Sequence, residues 1–345
     1  MTLLGVIGSA WYLTLVRYYR YKYLHELRRK YPDPDVVLED SAIAEEIFSY
    51  SSKREFPFMY RQASEIALFK TYSVPTISRL LLSTGEFAKS TSRRAEDTEL
   101  ILLEITEVHA RIENETDRNP NTSKAEIFRQ RSRAIESVTR LNKLHGRYNI
   151  LNDDFVYTLG LFILEPIRWI NKYEFRKLDQ REINAYFRVW YDVGQSMKIK
   201  DIPETIEKLQ EFMDSHEKTK VAYHPANWKV ADPTIRHVLT RLPNFMGPVA
   251  RKMISCSLEP HIADAFKLEH PTWFLKKMFD GALYLRGFII RHLFFPRRHH
   301  LIRTPFYPNK NGKYVPLFCF YKPEYPDGYD ISALGPGKVC PVKHP

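Results

Sequence analysis

A histidine stands near the middle of "VTRLNKLHGRYNILNDD" (138–154), where a stretch of helical periodicity ends. Counting back from His145, the residues Leu141, Val138, Ala134, Arg131 and Ile127 fall at alternating spacings of four and three. That spacing puts the imidazole on the apolar stripe and turns it inward. A neutral imidazole on a rigid helix is a good ligand for a metal or a haem iron. It also reads as a core histidine bonded to a nearby carbonyl, and spacing alone favours that second reading. A second feature lies upstream in "RRAEDTELILLEI" (93–105). Arg94 and Thr98 are one turn apart and continue into Ile101, Leu102 and Ile105, so a cation and a hydroxyl share an inward face. A buried arginine is costly without an anionic partner. A haem propionate, a substrate anion or a bound oxygen species would serve, and so would a carboxylate of the fold itself.

The elements that must hold these residues read as helices almost throughout. Ile101, Leu102, Ile105 and Val108 keep one face over 93–113, and the His145 stripe extends over 124–145. Ile183, Phe187, Trp190 and Tyr191 do the same over 180–195, with Asp179 suited to the N-cap. Further helices are expected at 62–70, 75–83, 153–173, 203–218, 232–242, 247–256 and 272–294. Pro57, Pro75, Pro166, Pro203, Pro233, Pro260 and Pro271 fall near expected starts or breaks. "ENETDRNPNTS" (113–123) reads as a loop, and no repeat is visible. After residue 295 the chain becomes rich in Pro, Gly and Tyr. The expected fold class is all-α: an anchor and basic juxtamembrane segment at 1–30, a helical domain at 40–295, and an irregular tail at 296–345 that wraps it.

Composition narrows the function. Apolar residues make up 44% of 345, enough for a sizeable core, and the scarcity of glycine (13 residues) argues against a Rossmann-like protein. Cys256, Cys319 and Cys340 form neither a C-x-x-C pair nor an even set, which excludes a disulfide framework and suggests a reducing compartment. The net charge of +11 suits either nucleic acid or an anionic membrane. The basic residues settle that choice, because they follow apolar segments: Arg17, Arg20, Lys22, Arg28, Arg29 and Lys30 after the N-terminal run, and Arg297, Arg298 and Arg303 after an aromatic helix. A membrane partner is therefore expected and nucleic acid is not. "MTLLGVIGSAWYLTLV" carries no charge for sixteen residues, short of the roughly 20 that span a bilayer. The Tyr, Lys and Arg that follow can lengthen the span by snorkelling. The expectation is a single pass with a lumenal N-terminus and the main domain in the cytosol; an amphipathic or buried helix is the alternative.

Several motifs in order resemble one family. They are "FPFMYRQASEIALFKTYSVPTISRLLLSTGEF" (56–87), the R-x-x-D-T of Arg94, Asp97 and Thr98, "LHGRYNILNDDFVYTLGLFILEPIRWI" (144–170) and "LDQREINAYFRVWYDVGQSMKI" (178–199). The family is the MpaB-type, endoplasmic-reticulum-bound fungal oxygenases, distantly similar to bacterial latex-clearing rubber oxygenases. The resemblance covers roughly residues 10–335. It implies an all-helical, globin-like core holding haem b, with His145 as the iron ligand. It implies that Arg94 and Thr98 act on the oxygen-binding side. The family's arginine three residues before the ligand is Asn142 here, and Arg140 is the candidate to replace it. Bacterial members often have a further histidine where this chain has Tyr157, so Tyr157 is grouped with His145 and Arg140 as cofactor-facing. The implied chemistry is oxidation or cleavage of a lipophilic, prenyl-type substrate by dioxygen at the endoplasmic reticulum membrane, in fungal secondary metabolism or lipid modification. The competing reading keeps the fold without catalysis, as a lipid- or partner-binding protein at the membrane.

Other motifs are quieter. His224, His261 and His270 have no metal spacing and read as surface residues. "RRHH" (297–300) is either a lipid-headgroup contact or a solvated tail. Asn114 and Asn121 head glycosylation sequons that would test topology. Nucleotide-binding and nucleophile-elbow motifs are absent.

Overall fold

The computed structural model describes residues 3–86, 90–243 and 247–336. Cys340 and the last residues of the tail lie outside that range. Within it the chain is helical, and the nearest approach to a strand is a lone antiparallel bridge between Tyr314 and Tyr329.

In chain order the first helices are α1 (Leu3–Lys30), α2 (Val36–Glu39), α3 (Ser41–Tyr50), α4 (Pro57–Thr71) and α5 (Pro75–Ser83). Next come α6 (Thr91–Thr106), α7 (Val108–Arg118), α8 (Lys124–His145), α9 (Asn152–Tyr173) and α10 (Gln180–Ser196). The last are α11 (Ile206–Lys220), α12 (Pro225–Leu239), α13 (Gly247–Cys256), α14 (Pro260–Ala265) and α15 (Trp273–Leu293). Local chemistry fixes many of their starts. Asp40 accepts from the backbone N–H groups of Ala42 and Ile43. Ser123 with Glu126, and Asp179 with Glu182, form capping boxes on α8 and α10. Pro57 and Pro75 open α4 and α5, where the missing N–H costs nothing.

The core is the packing of α4, α9 and α10. Met59, Tyr60, Ala63 and Ala67 of α4 join Val156, Leu159, Phe162 and Ile163 of α9. Ala185, Tyr186 and Trp190 of α10 complete it, with Phe162 stacked on Trp190 at 4.7 Å. α15 closes one side. There Gly287 lies so near the backbone that an added Cβ would sit 2.6 Å from the Tyr173 carbonyl oxygen. Between α3 and α4 the backbone forms a π-helical turn, Ser51–Glu55, closed by Phe56 N–H donating to Ser51 O at 2.9 Å. This turn buries Lys53, whose ammonium stands 3.5 Å from the Glu107 carboxylate.

Four expectations need correction. The helix expected over 93–113 is two, broken at Glu107. That carboxylate accepts from the backbone N–H groups of Arg303 and Thr304 and from the Thr304 hydroxyl. Pro166 and Pro233 break nothing: both sit inside helices, in α9 and α12. "ENETDRNPNTS" is helical as far as Arg118, and Asn114 is buried with its amide donating to His300 O, so it is no glycosylation acceptor in the folded chain. The N-terminal segment is one helix, but no helix among the described residues is long and apolar enough to cross a membrane. Val16, Arg20, Leu24 and Leu27 recur at helical spacing and are buried against the body, so this part of α1 lies along the protein.

The tail, though irregular, is seated by ion pairs rather than left in solvent. Glu104 of α6 is fully buried and holds both Arg111 and Arg133. Arg111 donates to Thr304 Oγ1 and Arg133 to Pro305 O, which pins residues 304–306 across α7 and α8.

Candidate active site

A cavity of about 680 Å³ opens between α4, α6, α8 and α9, and extends to α13 and α15. Arg94 and Thr98 from α6 and His145 from α8 all line it. These residues are brought together by helix register. On α6 Arg94, Thr98, Ile101 and Leu102 share one stripe at helical spacing, and Asp97, Glu99 and Thr106 line the cavity beside it. On α8 the lining includes Leu141, Leu144 and His145, and on α9 Phe155, Thr158, Leu159 and Phe162.

His145 is the last residue of α8, with its ring 5.4 Å from that of Phe155. Its Nδ1 is buried and makes no hydrogen bond. Burial, helped by the charge of Arg94, pushes its pKa down to about 4, so the imidazole is neutral at pH 7. A buried, unpaired ring nitrogen costs about 1–3 kcal/mol unless a ligand satisfies it. Thr98 is committed in one direction, since its hydroxyl donates to the Arg94 carbonyl at 2.9 Å and so turns acceptor lone pairs outward. The Arg94 charge also reaches Tyr72 and Asp97. Beside His145 the tail closes the wall. Gly335, at φ +88°, packs so tightly that a Cβ there would lie 2.6 Å from Leu144 Cδ1.

The other two sequence candidates stand elsewhere. Arg140 is not part of the cavity wall; its Nε donates to the Leu334 carbonyl at 2.6 Å and fastens the tail. Asn142 likewise serves structure, donating to the Ser196 carbonyl at the end of α10. Tyr157 lies off the cavity stripe of α9. It stacks on His216 at 4.6 Å and donates its hydroxyl to Glu217 at 3.2 Å, facing α11 instead. Both therefore lie apart from the space a cofactor beside His145 would fill.

Sequence reasoning missed a polar end of the cavity. Lys53 pairs with Glu107, Arg61 with Glu99, and Arg303 with Glu96 and Glu99. Phe320 of the tail packs under Arg61, 3.6 Å from guanidinium carbon to ring centre. No periodicity marked these residues, because they come from a π-turn, two helices and the tail. Asp97 was in view within R-x-x-D-T. It is buried, takes a hydrogen bond from the Tyr325 hydroxyl, and has its pKa raised chiefly by burial. His224 caps α12, while His261 and His270 are half-exposed and paired with carboxylates. Among the described residues, no three His, Cys, Asp or Glu side chains converge as a metal site.

Residues 72–287 match the family model described as ER-bound oxygenase mpaB/B'/Rubber oxygenase, catalytic domain. The chain is 30% identical over 307 residues to ER-bound oxygenase mpaB' of Penicillium brevicompactum, covering 83% of this chain and 68% of that protein. It is 29% identical over 275 residues to ER-bound oxygenase mpaB of Penicillium roqueforti (strain FM164), covering 74% and 86%. Against ER-bound oxygenase mpaB of Penicillium brevicompactum it is 29% identical over 307 residues, covering 83% and 67%. The chain belongs to the MpaB and rubber oxygenase family, and is by that membership an oxygenase.

Proposed function

We propose that this oxygenase uses haem b, with His145 as the iron ligand, to oxidise or cleave a lipophilic, prenyl-type substrate with dioxygen. It works at the endoplasmic reticulum membrane with its helical body on the cytosolic side. The observation that carries the proposal is the unpartnered, buried Nδ1 of a neutral His145 on a cavity wall shared with Arg94 and Thr98. The donor set fits the group. One imidazole suffices for a haem, whereas a bare ion would need several side chains.

When bound, the haem supplies the dioxygen chemistry. The chain supplies the setting. His145 competes with protons only well below neutrality, so it stays available as a ligand at pH 7. Arg94, on the same cavity wall, would supply a fixed positive charge able to offset negative charge arising in the reaction. Thr98 offers hydroxyl lone pairs one turn away. Leu102, Phe155, Leu159 and Phe162 exclude water and accept an apolar chain. The test is substrate-dependent oxygen uptake by the cofactor-loaded protein with prenylated lipids. Uptake that tracks loss of the prenyl double bond is expected. A loaded protein inert toward every prenyl lipid would overturn the substrate class.

A further inference from the structure

α15 is apolar on both of its faces. Phe279, Leu283, Gly287 and Ile290 face inward at helical spacing, and Phe279 and Leu283 line the cavity. The opposite face should be polar if water covered it. Instead Trp273, Phe274, Met278, Leu285 and Phe288 are between 55 and 75% exposed. Helical rotation gathers them into one stripe about 140° wide. The stripe runs on into Leu293, Phe294 and Phe295, all exposed. These residues meet α1: Tyr12 donates to the Leu293 carbonyl, and Arg20 to the carbonyls of Phe294 and Phe295. On α1, Ile7, Trp11 and Tyr18 form a further exposed stripe.

We infer that the outer face of α15, with its junction to α1, docks in the plane of an anionic lipid bilayer, so that the protein lies on the membrane rather than spanning it. Charge selects this occupant. Arg17, Arg297 and Arg298 are exposed around the apolar surface, and residues 3–25 and 281–301 contain no Asp or Glu. Such a rim attracts anionic headgroups and repels a second copy of itself. Exposed Trp and Tyr beside Arg are the interfacial combination. The docked face and the cavity share one helix. Phe279 and Leu283 on the inner face of α15 line the cavity, so a lipophilic molecule leaving the bilayer would enter beside that helix. This last step rests on the substrate class proposed above; the docking does not.

The test is flotation of the full chain with phosphatidylcholine vesicles, with and without phosphatidylserine. The intact chain floats with the anionic vesicles, binds neutral ones more weakly, and is released by an alkaline carbonate wash. Leu285→Glu with Phe288→Glu lowers the bound fraction at least about tenfold. Phe128→Glu with Ile135→Glu, exposed apolar residues of α8, leaves binding unchanged and controls for lost hydrophobicity. Three results overturn the inference: binding by the α15 variant equal to that of the parent chain, carbonate-resistant insertion, or a lipid-free dimer that the α15 variant dissolves. Vesicle binding involves no turnover, so its failure is distinct from failure of the proposed chemistry.

Discussion

His145 and His300 share a condition: each is held neutral by its surroundings. Burial and Arg94 push the pKa of His145 down to about 4, and burial with Arg54, His109 and Lys53 pushes that of His300 to about 3. Both imidazoles titrate near 6.5 in an unfolded chain. The unfolded state therefore binds more protons below that pH. The stability these groups contribute is fully present above about 6.5 and is lost as pH falls towards 4 and 3. Urea unfolding of His300→Gln between pH 7 and pH 4 should show a shallower loss of stability than the parent chain; equal slopes would mean His300 is not buried neutral. For Arg94 the expected result is kinetic. Arg94→Ala should lower kcat about a hundredfold with the cofactor retained, as removal of a fixed charge at a developing anion does. Loss of the cofactor in that variant would make Arg94 a structural residue. Helical periodicity turned His145, Arg94 and Thr98 inward, and all three line the cavity. Arg140 and Tyr157, which came from the resemblance rather than from periodicity, lie off its wall. A single residue step turns a side chain by about 100°, and no motif says what waits on that side.

At the scale of elements, helix α6 ends where the tail needs a carboxylate. Glu107 stops it and accepts three hydrogen bonds from Arg303 and Thr304. One turn back, Glu104 is shared by Arg111 and Arg133 in a site closed to water. Glu104→Ala leaves two buried guanidiniums without an anion, and we expect a loss of about 3–5 kcal/mol in chemical denaturation. A loss below about 1 kcal/mol would show that water reaches the network. Gly335→Ala should act at a distance. An alanine would be strained at φ +88° and its Cβ would meet Leu144, so the end of α8 must shift and with it His145. A lower thermal midpoint with a weaker hold on the cofactor is expected; an unchanged midpoint would mean the tail simply moves aside. Periodicity pointed to α8 and α10, although the buried line of α8 is Gln130, Arg133, Ser137 and Leu144 and α10 is buried on most of its surface. The π-turn and the tail contacts stayed hidden, since neither follows a repeat and both depend on partners more than a hundred residues away.

For the molecule as a whole, an apolar cavity lies behind an apolar outer helix, and basic residues border the exposed surface. The all-α class and the family were readable from composition and motif order. The spanning anchor was not sustained: the uncharged run is short, and Val16, Leu24 and Leu27 of α1 are buried against the protein itself. Sequence hydrophobicity cannot distinguish a lipid-facing stripe from a core-facing one; only the packing of α1 and α15 does. At the cavity, an absorption spectrum decides whether His145 holds a haem iron. The full chain, expressed with haem supplied and purified in detergent, is measured beside His145→Ala with iron quantified in both. The account predicts a Soret band and near-stoichiometric iron in the first and loss of both in the second, with the helical content of the two equal. No Soret band in either, or an undiminished one in the variant, would contradict it.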